Sequence, residues 1–173
     1  NDVIMPIGPK VRNINKMFAY VDGAKNQLDK WAETGYLTGY DAKATHPKIA
    51  VWNDTSTGTL DERAKAYLEI NCAHCHSEEG SANTSGLFLT TLNFDPNRWG
   101  ICKSPVAAGR GAGDKKVDIQ PGDAEGSILH YRMNSANPGF MMPELGRKLI
   151  HEEGVALIRE WINAMPPQIC EAQ

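Results

Sequence analysis

The sequence predicts a mainly α fold with long connecting loops and an N-terminal extension, and three features predict it. A capped run of helical periodicity opens at Thr59, a second helical stretch covers residues 124–134, and an amphipathic third covers residues 152–165. Between and before them lie tracts rich in Gly, Asn, Ser and Pro, which read as loops.

Each element has a local reason. Residues 1–58 hold one expected short helix over 23–34, with Leu28, Trp31 and Ala32 as its apolar side, and end in the turn-rich run 53–58. Thr59 and Glu62 fit a capping box, and Leu60, Ala64, Tyr67 and Leu68 then share one face of a helix that runs into Cys72-Ala73-His74-Cys75-His76. Residues 77–122 are loop-like. Asp123 is the expected N-cap of the second helix. Pro138-Gly139 breaks that helix, and Phe140-Met141-Met142-Pro143 follows. In the last helix Val155, Ile158, Ile162 and Met165 form a stripe, Glu152 and Glu153 complement the dipole at its start, and Pro166-Pro167 stops it. Residues 1–58 are thus expected as an extension packed on a domain formed by 59–173.

Length and composition narrow the function classes. A chain of 173 residues supports one domain with a core, and 41% hydrophobic residues is a globular composition. A net charge of −3 argues against a nucleic-acid binder, and no apolar run is long enough for a membrane span. The chain opens on Asn1 rather than Met, as expected of a removed leader or of a module from a larger protein.

The chemistry lies in Cys72-Ala73-His74-Cys75-His76, the spacing of covalent haem attachment. Two thiols three residues apart at a helix end reach the two vinyl groups of one porphyrin as thioethers. The next residue, His76, then places an imidazole nitrogen on the iron. Two other readings stay open at this point: a redox dithiol, which normally accompanies a βαβ pattern that is missing here, and half of a zinc site completed by Cys102 and Cys170. The sixth iron ligand is expected from the loop before the last helix. Met142 is the choice because Pro143 helps to fix it, with Met141 and then Met133 behind it. A thioether raises the reduction potential relative to bis-histidine iron.

These features resemble the class I cytochrome c family over about residues 59–166: a helix entering Cys72-Ala73-His74-Cys75-His76, then Met142-Pro143, then an amphipathic last helix containing Trp161. The resemblance implies a cytochrome c-like helical fold around one haem c, with Ala64 and Tyr67 facing Leu157 and Trp161 where the first and last helices meet. A narrower resemblance covers nearly the whole chain. Residues 9–15, 71–76, 105–111 and 141–147 look like those of a little-characterised group of bacterial single-haem modules at the C-terminal end of larger exported proteins. It implies a monomeric module of a periplasmic or extracellular protein.

Cys102 and Cys170 are expected to pair, because haem c is attached where thiols oxidise readily. The run Gly109-Arg110-Gly111-Ala112-Gly113 is read as a flexible loop rather than a phosphate site. Arg110 and Arg132 are candidates for a haem propionate. His74 is expected at the surface; His46, His130 and His151 are read as surface or core histidines, with one of them the rival to methionine as sixth ligand. Lys115 and Lys116 are read as a solvated pair. The expected function is one-electron transfer to a redox partner protein or an adjoining enzyme domain. The alternative is a peroxidase-like enzyme or gas sensor with a displaceable sixth ligand.

Overall fold

The structure is a computed structural model and describes residues 8–171. Two compact units divide the chain, Asn1–Ala50 and Val51–Gln173. In the first, a single helical turn, α1 (Val11–Ile14), precedes an antiparallel hairpin of β1 (Met17–Tyr20) and β2 (Gly23–Asn26), followed by α2 (Gln27–Glu33). In the second, α3 (Leu60–Cys72), α4 (Ile128–Met133) and α5 (Glu152–Asn163) are separated by long irregular segments that include two short 3₁₀ turns, Asn83–Ser85 and Gly109–Ala112.

The mainly α, cytochrome c-like expectation is therefore corrected. Helices take up only 30% of the residues, and a two-stranded sheet stands where the extension was read as loop and helix, so the fold is mixed α/β. The cause is local. Val21-Asp22 turns the chain and Gly23 adopts φ 122°, a conformation only glycine takes readily, so Met17 pairs with Asn26 and Tyr20 with Gly23. The helix expected from residue 23 begins only at Gln27, where the Asn26 side chain accepts the Leu28 N–H at 2.9 Å. The second helix is likewise shorter than expected. The Asp123 carboxylate bonds the Gly126 N–H at 2.9 Å and closes a turn there, so α4 starts after Ser127.

The first unit buries Leu28 and is otherwise tied by polar side chains. Asn15 Nδ2 donates to the His46 and Pro47 carbonyls, Asn26 Nδ2 donates to Asn15 Oδ1, and Tyr40 donates to Asp29.

The second unit has a continuous apolar core. Ala64, Tyr67 and Leu68 of α3 meet Val155, Leu157, Ile158, Trp161 and Ile162 of α5, with Leu89, Trp99, Ile119, Leu129 and Met133 around them. The capping box is present at the head of α3: Thr59 N–H donates to Glu62 Oε2 at 2.8 Å, and Glu62 N–H donates to Thr59 Oγ1 at 3.2 Å. Trp161 Nε1 donates to Asp61 Oδ1 at 2.8 Å and ties the two helices at that end. Gly154 sits where α5 crosses the Tyr67 ring; a β-carbon there would stand 2.1 Å from the Tyr67 hydroxyl.

Among the described residues no helix is long and apolar enough to cross a membrane. Cys102 and Cys170 form a disulfide across 68 residues. Two outcomes follow from this packing. Replacing both cysteines by serine lowers unfolding stability by about 4 kcal/mol, from the entropy of the opened chain. Gly154→Ala costs about 1–3 kcal/mol through overpacking against Tyr67. Both are read as shifts of the urea unfolding midpoint.

Candidate functional site

The cysteine motif sits where α3 ends. Backbone bonds from Cys75 N–H and His76 N–H to the Cys72 carbonyl, at 3.1 and 2.9 Å, wind residues 72–76 into a tight turn. The Cys75 carbonyl accepts Ala82 N–H at 3.0 Å, and the His76 carbonyl accepts Leu89 N–H at 2.9 Å, so the following loop folds back onto the motif. Gly80 permits that return; a β-carbon there would lie 2.1 Å from the Cys75 carbonyl oxygen.

Cys72 and Cys75 are free thiols, whereas the chain's other two cysteines are bridged to each other. Burial, helped by the neighbouring Cys75, pushes the Cys72 thiol up to about 12. A thiol that stays protonated is a poor attacking nucleophile, which argues against a redox dithiol. The Cys102–Cys170 bridge also removes the two further thiols that a zinc site needed, and among the described residues no group of three His, Cys, Asp or Glu is placed to hold a metal ion.

The His76 ring is fixed by a residue that sequence reasoning missed. Ser85 Oγ lies 3.3 Å from His76 Nδ1. The Ser85 hydroxyl donates to the Ala82 carbonyl at 2.7 Å and accepts Leu87 N–H at 3.2 Å. A hydroxyl has one proton to give and two lone pairs to fill, so Ser85 accepts from Nδ1–H. The lone pair of His76 is thereby left on Nε2. Burial, and then the positive charge of Arg132, holds the imidazole below its ordinary value and keeps it neutral, the form that binds iron.

Met142 is held on the other side of Arg132. Met142 N–H donates to the Arg132 carbonyl at 3.0 Å, at the end of α4. Arg147 Nη2 donates to the same carbonyl at 3.3 Å and to that of Ser135, clamping the methionine loop to α4. Arg132 in turn donates from Nε to the Phe140 carbonyl at 2.8 Å. Cys72, Met133 and Met142 share a cleft of about 370 Å³ with Tyr67, Arg147 and His151, within the range of cofactor and ligand pockets. The Tyr67 hydroxyl meets His151 Nδ1 at 2.9 Å, and the two rings stack. Arg147 Nε is buried in this wall with no hydrogen-bond partner.

The donor types are those that hold a covalent haem, two free thiols at and just beyond the end of α3, a neutral imidazole and a soft thioether; of these Cys72 and Met142 line the cleft, and Cys75 and His76 do not. Cys72 and Met142 meet at the cleft, while His76 stands on the next turn and faces Ser85. Met141 bonds its N–H to the Asn137 carbonyl, and Met133 is buried in the core. Among the histidines, His74 and His151 line the cleft, His46 stacks on Tyr40, and His130 is buried near Glu125. Arg110 is exposed in a 3₁₀ turn, Lys115 lies over the Tyr131 ring and Lys116 is exposed. No family model, curated protein or solved structure matches the chain.

Ser85→Ala removes the acceptor that selects the His76 tautomer. Nitrogen NMR of the haem-free chain is expected to find Nδ1–H as the major tautomer in the wild type, and its ratio to Nε2–H about fivefold lower in the variant, a loss of bias of about 1 kcal/mol.

Proposed function

We propose that this chain carries one haem c, which Cys72 and Cys75 would hold as thioethers and His76 and Met142 would hold through its iron, and passes single electrons. The observation that carries the reading is the pair of free thiols at the end of α3, followed directly by an imidazole whose Nδ1 proton is held by Ser85. Bound there, haem supplies a one-electron couple whose potential the axial ligands set.

The chain's own residues have separable tasks. Ser85 holds the proton on Nδ1 and orients the His76 ring. Arg132 and Arg147 hold the backbone of the methionine loop, which keeps Met142 in the wall of the cleft that Cys72 also lines. Met133 and Val155 give that cleft part of its apolar wall. Met142 as the second protein ligand to iron would leave no coordination place for a substrate. That favours electron transfer to a redox partner protein or an adjoining enzyme domain over peroxidase-like or gas-sensing chemistry. The Cys102–Cys170 bridge supports a periplasmic or extracellular setting, where disulfides persist.

The protein from a host able to mature c-type haem is expected to be red, to keep its colour through acid–acetone extraction, and to have the intact mass of chain plus one haem. Colourless protein of bare-chain mass would refute the proposal. In the ferric spectrum a weak far-red band is expected from methionine ligation, and Met142→Ala is expected to abolish it. A band that survives would assign the ligand to Met141 or Met133, and a high-spin wild-type spectrum would favour the open-site alternative.

A further inference from the structure

A pair of buried charges lies outside the cleft. Lys103 and Asp118 face each other with side chains only 10% and 12% exposed, Nζ to Oδ2 3.5 Å. They stand close to the loop that holds His76. A β-carbon on Gly86, next to Ser85, would lie 3.3 Å from Lys103 Cε, and one on Gly100 would lie 2.9 Å from Leu87 Cδ1 and 3.1 Å from Asp118 Cβ. Arg132 completes the group. Its guanidinium packs on Gly111, where a β-carbon would be 3.3 Å from Cζ, and its charge acts on both His76 and Asp118.

The carboxylate is positioned but weakly paired. Asp118 N–H donates to the Lys103 carbonyl at 2.8 Å, and the Asp118 carbonyl accepts Leu129 N–H at 2.9 Å, so its backbone is pinned from two sides. Lys103 Nζ also serves the Ser104 carbonyl at 3.1 Å, and its 3.5 Å separation from Asp118 is well beyond the 2.7–2.9 Å of a strong charge-assisted bond. Burial raises Asp118 above its ordinary value despite both cations. The other charge that bears on this group is Glu144, which faces Arg132. His130, also on α4, faces Glu125, Arg159 and Lys115 instead.

We propose that Asp118 is a redox-linked proton site: it takes one proton from water when the domain accepts one electron, and returns it on oxidation. The inference rests on the haem reading above. For each electron received from a one-electron donor protein, one O–H bond forms at the Asp118 carboxylate, and the net charge of the site is unchanged. An added negative charge in a poorly solvated interior disfavours a second one nearby, and the loose ion pair with Lys103 leaves the carboxylate free to be neutralised. The site reaches solvent through the exposed fraction of the carboxylate.

The test is potentiometry of the red holoprotein across acidic to neutral pH. The midpoint potential is expected to fall as pH rises, by up to about 59 mV per tenfold fall in proton concentration for one proton per electron, and Asp118→Asn is expected to remove that slope. A flat profile in the wild type, or a slope retained in the variant, overturns the proposal. Because Asp118→Asn takes the buried Lys103 charge's counter-ion away and so strains folding, a second measurement uses the wild type alone. Its reduced-minus-oxidised infrared spectrum, with aspartate carboxyl-labelled with carbon-13, is expected to show a protonated-carboxyl band that the label shifts. Absence of that band overturns the proposal equally. A colourless protein refutes the haem reading itself; a red protein with no such slope or band refutes only the role of Asp118.

Discussion

Ala64, Tyr67 and Leu68 on α3 lie buried against Val155, Leu157, Ile158, Trp161 and Ile162 on α5, and this contact fixes the direction in which the last turn of α3 points. Cys72 is the final residue of α3, so its thiol is placed by apolar packing in the one to two turns before it as well as by the motif itself. The same contact sets the start of α5 beside the motif: Gly154 admits the Tyr67 ring, Tyr67 meets His151, and both line the cleft with Cys72 and Met142. Burying some five large side chains at about 1.5–3 kcal/mol each outweighs any single polar contact in the unit. A change in how the helices pack therefore moves the thiol, the imidazole loop and the methionine loop together.

The long segments outside the helices depend on that core for position but not for internal order. The loop after the motif is held by backbone bonds to Cys75 and His76, and residues 100–103 run beside 117–119 through Cys102 N–H to the Ile119 carbonyl at 3.0 Å and Ile119 N–H to the Gly100 carbonyl at 2.8 Å. The Cys102–Cys170 bridge then ties this pair to the segment after α5. So little regular structure is sustained because buried backbone groups find partners one by one, in turns and single bridges, instead of in ladders.

Parts of this were legible in the sequence because they obey short-range rules. Thr59 and Glu62 announced the head of α3, the stripe from Val155 to Ile162 announced α5, and two close cysteines with two distant ones announced which would pair. The fold class was misjudged where two local rules competed. Asp22-Gly23 is a hairpin signal, yet Leu28, Trp31 and Ala32 carry helical spacing, and reading the second as the whole segment hid the first. Asp123 was read as a helix cap, but its carboxylate closes a turn on Gly126 instead. Ser85 and Asp118 could not be found by pattern at all. Their significance comes from meeting His76 and Lys103 across a loop, and no periodicity encodes that.

Arg132 brings these threads to one residue. Its carbonyl receives the Met142 and Arg147 N–H groups, its Nε donates to Phe140, and its charge reaches His76 on one side and Asp118 on the other. A guanidinium suits this position because it remains charged when half-buried and presents several donors in one plane. Desolvation still opposes that charge, and Asp118 and Glu144 offset the cost. Arg132 therefore acts on both the imidazole and the carboxylate, and Asp118 in turn favours its charge. One cation thus helps to keep the imidazole neutral and opposes the rise that burial causes at Asp118, so removing its charge would raise both groups together.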